Sequence, residues 1–306
     1  MLKTDNTAYS TMAQEFNILF DEPLKNYTSI KVGGPADLLA LPKNKQELKS
    51  LLKKASDLDI PVTLFGGGTN LLVSDKGIRG LVVITRQLKS EISIIQTDSH
   101  RKTICVAAGE RLSKTCQFAI KHCLSGLEFA AGIPGTVGGA IMMNAGTKSG
   151  DMSGIVDSIE VLNKKTLAFE TIGGKDLDFS YRQLSLPEII VAARLTLKKE
   201  NQKVIEETFK HNLSKKNATQ PVSFASAGCF FKNPKSGKSA GELIEKSGLK
   251  GMKVKDAMVS QIHANFIVNI NNATCNDILL LEQQIQKIVS HKFHINLKTE
   301  VRVEGE

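Results

Sequence analysis

Residues 126–146, GLEFAAGIPGTVGGAIMMNAG, set Gly132, Gly135, Gly138, Gly139 and Gly146 in a run with almost no charge. Such a stretch belongs close to something flat or tightly wound, with backbone N–H and C=O groups as its main hydrogen-bonding equipment. A buried structural loop has the same composition. A second stretch, LFGGGTNLLVSD at 64–75, leaves an apolar segment through three consecutive glycines and offers Thr69 and Asn70 before apolar residues resume. Positions without Cβ permit positive φ and let N–H groups converge on an anion such as a diphosphate. The stretch is neither a P-loop, since no Gly-Lys-Ser/Thr follows, nor a GxGxxG dinucleotide turn. A tight structural turn fits it equally well.

Around these stretches the chain alternates helical and extended periods. Leu48, Leu51, Leu52, Ala55 and Leu58 share one helical face over 45–58, and IPVTLF leads as a strand into the first glycines. TICVA at 103–107 reads as a strand, and 111–124 as a helix that buries Cys116 and Cys123. VDSIEVLN at 156–163 and IIVAARLTL at 189–197 read as strands, and 202–217 as a polar amphipathic helix at a boundary. Beyond it come a short helix near AGELIEKSG, a strand HANFIVNI, and a helix from about Thr274 to Lys292 capped by Thr274 or Asn276. The final strand, HINLKTEVRVE, sets Ile295, Leu297, Thr299, Val301 and Val303 on one face and Glu300 with Arg302 on the other.

At 306 residues the chain exceeds one ordinary core. The reading is a mixed α/β (α+β) chain of two or three domains, with a boundary near the 202–217 helix. Hydrophobic residues make up 41% and charged residues 23%, the balance of a soluble globular chain. The N-terminus lacks a signal-peptide apolar run, and nothing later reaches the roughly 18 apolar residues of a membrane span, so a cytoplasmic location and no membrane insertion are expected. The net charge of +9 comes from scattered lysine pairs, with three tyrosines and no tryptophan to stack on bases. That speaks against nucleic acid and leaves attraction of small polyanions such as phosphorylated substrates. Six histidines form no HxH or HxxxH pair and five cysteines no CxxC pair, so no metal site is expected. One cysteine stands apart: Cys229, in SAGCFFKNP, follows a small-residue turn and precedes an aromatic pair, and is either a core filler or a chemical group.

The series NYTSIKVGGPAD, LFGGGTNLLVSD, GLEFAAGIPGTVGGAIMMNAG, FSYR, SAGCFFKNP, HANFIVN and TEVRVEGE resembles, in order and approximate spacing over about residues 25 to 305, the UDP-N-acetylenolpyruvoylglucosamine reductase (MurB) family of peptidoglycan precursor synthesis. The resemblance implies a vanillyl-alcohol-oxidase-type FAD-binding unit of two subdomains, 1–90 and 91–200, and a C-terminal α/β substrate domain, 201–306. Gly66, Gly67, Gly68, Thr69 and Asn70 match the diphosphate turn. Gly132, Ile133, Pro134, Gly135, Thr136, Val137 and Gly138 match a second flavin-contacting loop. Arg182 matches the arginine that polarises the substrate carboxylate, Glu300 its acidic partner, and Cys229 the proton donor, which is serine or cysteine across the family. Tyr181, Lys232, Asn233 and Asn265 lie in motifs that imply substrate contact.

The implied reaction passes a hydride from NADPH through FAD to the β-carbon of a UDP-sugar enolpyruvate, with the α-carbon protonated from Cys229, in a monomeric enzyme. An FAD-linked oxidase of a small alcohol and a non-catalytic nucleotide-sugar binding protein are the alternatives. The chain departs from many relatives in reading NAGTKSG at 144–150 where they have Asn-Ala-Gly-Ala-Tyr-Gly, and it has no room between Arg182 and Ile189 for the long substrate-covering loop of one branch. It therefore resembles the shorter-loop class.

Overall fold

A computed structural model describes residues 7–235 and 237–306. The chain divides into two compact units, each assembled from three separate segments: residues up to Ile18 with Ala40–Gly67 and Val82–Lys216, and Leu19–Leu39 with Gly68–Leu81 and Asn217–Glu306. This division is discontinuous, because the unit containing the C-terminus also takes in two early segments.

The first unit is organised by an antiparallel sheet in the order Phe169–Gly173, Val156–Leu162, Ile189–Lys199, Arg101–Ala107 and Ser93–Thr97. Ile189–Lys199, a near-continuous apolar run at its start, lies between two strands, with Leu195 opposite Ile104 on one side and Val156 on the other. Helix Leu112–Lys121 buries Leu112, Cys116 and Ala119 in the same core as Ile104, Val106 and Leu197. The helix ends earlier than its periodicity suggests. Cys123 lies beyond the end with φ +58 and is exposed, which corrects the expectation of a core position: the left-handed turn swings it away from the helix's apolar face. Helix Lys45–Asp57 starts at Asn44, whose side chain accepts the Glu47 N–H at 2.9 Å, and buries Leu48, Leu51 and Ala55 as the pattern required.

In the second unit Phe230, Phe231, Leu243, Ile244, Ile278, Leu281, Ile285 and Val289 form the core, with Ile30, Val32 and Leu72 from the early segments. Helix Cys275–Phe293 opens with a capping box in which Thr274 and Asp277 satisfy each other's backbone N–H groups. Asp75, at the end of the first glycine-rich stretch, adds a second cap, its carboxylate accepting the N–H groups of Cys275 at 2.7 Å and Asn276 at 2.9 Å. A four-stranded sheet runs Ala225–Ser226, Ile267–Asn269, Ala257–Val259 and Lys253–Val254. Two expected strands are much shorter than read. Of HANFIVNI only Ile267–Asn269 is strand, and of 294–304 only Arg302–Glu304 is, paired in parallel with Leu71–Val73. The alternation still buries Leu297 and Val301, whereas Val303 is exposed.

Candidate active site

In the first unit the two glycine-rich stretches touch through bare backbone. A Cβ on Gly67 would lie 3.0 Å from the Gly135 Cα, and one on Gly66 would lie 2.7 Å from the Thr136 Oγ1. Gly132 and Gly135 hold φ of +68 and +114, conformations that side-chain-bearing residues rarely adopt. The second stretch then winds into helix Val137–Met142, with Thr136 as its N-cap, while Leu112 N–H donates to the Gly135 carbonyl at 3.1 Å and Gly138 N–H to the Ala108 carbonyl at 2.8 Å. Ile133 is half-buried and Pro134 exposed, whereas Thr136, Val137 and Gly138 are buried. Side-chain volume is excluded where the two stretches meet, which fits the close approach of a dinucleotide diphosphate.

The remaining residues of the first stretch belong to the second unit. Gly68 has φ +62, and a Cβ there would lie 2.0 Å from the Tyr27 carbonyl oxygen, so no larger residue fits. Thr69 is half-buried. Asn70 reaches Glu300: its Nδ2 donates to the Glu300 carbonyl at 3.1 Å, and Arg302 N–H donates to the Asn70 carbonyl at 3.1 Å.

Cys229 is half-buried and follows Gly228, whose φ of +84 makes the turn. Phe230 and Phe231, 1% exposed each and edge-on at 5.4 Å between ring centroids, anchor the segment in the core. Asn265, expected as a substrate contact, is 4% exposed and uses both ends of its carboxamide on Phe231: Oδ1 accepts the Phe231 N–H at 3.0 Å and Nδ2 donates to the Phe231 carbonyl at 2.8 Å. Glu300 N–H donates to the Phe230 carbonyl at 2.8 Å, which sets Cys229 and Glu300 on neighbouring stretches of the same unit. Lys232 joins them through its N–H to the Lys298 carbonyl at 2.8 Å, and Asn233 Oδ1 accepts the Ala240 N–H at 3.0 Å.

Behind Glu300, the buried Glu282 accepts a hydrogen bond from the Thr299 hydroxyl. Burial pushes the Glu282 carboxyl above its ordinary value, and the Thr299 bond offsets this only in part. The sequence does not signal this burial, since the helix presents Glu282 as an ordinary charged position. Burial also pushes the thiols of Cys116 and Cys275 up to about 12, so neither is a reactive group.

Tyr181 and Arg182 belong to the first unit, with the Gly132–Gly138 stretch. They form the two-residue loop of the hairpin Asp178–Ser180/Gln183–Ser185, in which Ser180 pairs Gln183. Arg182 adopts φ +60, its guanidinium stacks over the Tyr181 ring at 5.2 Å, and its Nη2 donates to the Gly146 carbonyl at 2.9 Å. Among the described residues no cluster of His, Cys, Asp and Glu could hold a metal ion, and no helix is long and apolar enough to cross a membrane.

Residues 36–167 match an FAD-binding domain family, and residues 220–304 match the C-terminal domain of UDP-N-acetylenolpyruvoylglucosamine reductase. A crystal structure of that reductase from Thermus caldophilus, 36% identical, superimposes with a TM-score of 0.78 over 94% of this chain and 97% of that one. The reductase from Caldanaerobacter subterraneus is 40% identical over 96% of this chain and 95% of its own length. That from Levilactobacillus brevis is 43% identical over 97% and 96%. With such identity sustained along almost the whole chain, this protein belongs to the UDP-N-acetylenolpyruvoylglucosamine reductase family, whose FAD-binding and C-terminal domains it carries.

Proposed function

We propose that the chain catalyses the NADPH-dependent reduction of UDP-N-acetylglucosamine enolpyruvate to UDP-N-acetylmuramate. The observation that carries this reading is the bare-backbone contact of Gly66 and Gly67 with Gly135 and Thr136, in a chain that aligns end to end with the reductases. Gly66–Asn70 and Gly132–Gly138 are the residues that would hold FAD. When bound, FAD supplies the hydride for the β-carbon, having received it from NADPH.

The chain's own residues do the rest. Arg182 holds the substrate carboxylate and stabilises the negative charge that develops there, with Glu300 as the acidic partner of that cation. Cys229, as a thiol, gives its Sγ proton to the α-carbon. Tyr181, Lys232 and Asn233 contact the UDP-sugar, and Asn265 serves the site by fixing the Cys229 segment from behind. We further place the enzyme in the cytoplasm as a monomer, with two FAD-binding subdomains at 1–90 and 91–200 and a substrate domain at 201–306.

An anaerobic absorbance experiment tests the function. The purified protein is expected to be yellow, to bleach with NADPH and to regain colour with UDP-N-acetylglucosamine enolpyruvate. Arg182→Ala is expected to bleach normally and to regain colour about 10²–10³-fold more slowly. Oxygen consumption without NADPH, or UDP-sugar binding without turnover, would replace this reading with an oxidase or a binding protein.

A further inference from the structure

Asn144 follows helix Val137–Met142 with φ +38 and is 6% exposed, a buried polar residue in a left-handed conformation. Its carboxamide is fully oriented by its partners. Nδ2 donates to the Ser180 carbonyl at 3.1 Å, and Oδ1 accepts the Ser153 N–H at 3.0 Å. A carbonyl can only accept and an N–H only donate, so the amide has one orientation. Ser180 is the last residue before the Tyr181–Arg182 loop, and two residues after Asn144 the Gly146 carbonyl takes the Arg182 guanidinium. The backbone entering the loop and the side chain leaving it are thus tied to one three-residue stretch.

The root of the hairpin is held differently, by Leu177 and Leu184 in the apolar core and Phe179 packed against it. Tyr181 at its tip is 52% exposed. A long cationic side chain on an exposed tip has many rotamers, and confining it is costly unless its donors and its backbone are both fixed. The six-residue helix Val137–Met142, which ends two residues before Asn144, is capped at its start by Thr136, in the stretch that meets Gly66. A helix of that length spans about 9 Å and does not stretch.

We infer that Asn144 is a positioning residue for Arg182: through Ser180 it sets the guanidinium at a fixed reach from the Gly132–Gly138 stretch. This rests on the reading of Arg182 given above. The two anchors, Asn144 and Gly146, lie in the Asn-Ala-Gly start of the NAGTKSG segment, before the residues at which it diverges.

Two variants of the flavin-loaded enzyme test this. Asn144→Gly removes both side-chain bonds while tolerating the positive φ, and Asn144→Asp keeps the acceptor for Ser153 but loses the donor to Ser180. Both are expected to bleach with NADPH at the wild-type rate and to regain colour with substrate about 10–100-fold more slowly, with kcat falling more than KM rises. Trypsin should cut faster after Arg182, read by intact mass. In an Arg182→Ala background, Asn144→Gly should cost no further reoxidation rate, which a merely structural role would not predict. Wild-type reoxidation in both variants, or an undiminished loss on top of Arg182→Ala, would overturn the inference. If Arg182→Ala alone leaves reoxidation unchanged, the reading of Arg182 fails, and the tryptic comparison still reports whether Asn144 holds the hairpin.

Discussion

Asn265 grips Phe231 by two hydrogen bonds, at 3.0 and 2.8 Å, with both groups buried in the core of the second unit. Truncation would strand a buried N–H and a buried carbonyl together. Asn265→Ala is expected to lower unfolding stability by about 2–4 kcal/mol in urea titration of the flavin-loaded protein. A change under about 0.5 kcal/mol for Asn265→Ala would show that the segment is held by Phe230 and Phe231 packing alone.

A Cβ on Gly67 would lie 3.0 Å from the Gly135 Cα, tight enough that the neighbouring backbone must give by a few tenths of an ångström. Gly67→Val is therefore expected to cost about 1–3 kcal/mol, part of it as overpacking in the fold and the rest as weaker flavin binding. The latter corresponds to about a tenfold loss of affinity or more, measured by fluorescence titration of stripped protein with FAD. Unchanged affinity would mean that the two stretches meet for structural reasons only.

The role assigned to Cys229 needs a proton on sulfur, so thiolate formation is inactivating here rather than activating. Cys229→Ser is expected to retain substantial turnover, whereas Cys229→Ala accepts hydride from NADPH but stalls with substrate. Only the cysteine enzyme should lose activity at alkaline pH as the thiol ionises. Wild-type turnover by Cys229→Ala would make Cys229 a packing residue.

Glu282 predicts a pH effect on stability. Its carboxyl titrates higher in the folded than in the unfolded chain, so between those two values the folded state holds more protons. The sign is then fixed: stability falls as pH rises from the unfolded value, near 4.5, through the raised folded one. Glu282→Gln cannot ionise and should flatten this fall, seen as unfolding midpoints that change less between about pH 4 and about pH 8. Parallel curves for wild type and variant would show that Glu282 does not supply this pH dependence.

The chain's local grammar determined much of its architecture. Helix Cys275–Phe293, its Thr274 cap and its buried stripe Ile278, Leu281, Ile285 and Val289 follow from capping chemistry and a 3.6-residue period, which act within a few residues of sequence. The same holds for Lys45–Asp57 and the strands 156–162 and 189–199. The glycine stretches were legible as places where side-chain volume is excluded, though not as partners of each other. Tertiary structure decided that, together with how far extended patterns become strands: Thr299 makes a single antiparallel bridge with Phe231, whereas Arg302–Glu304 runs as a strand beside Leu71–Val73. It also decided which buried polar residues find partners. Asn144 meets Ser180 across 36 positions and Asn265 meets Phe231 across 34, and a period or a cap carries no information at such separations. A buried carboxamide is specified by the two backbone groups it satisfies, and those are brought to it only when the chain has folded.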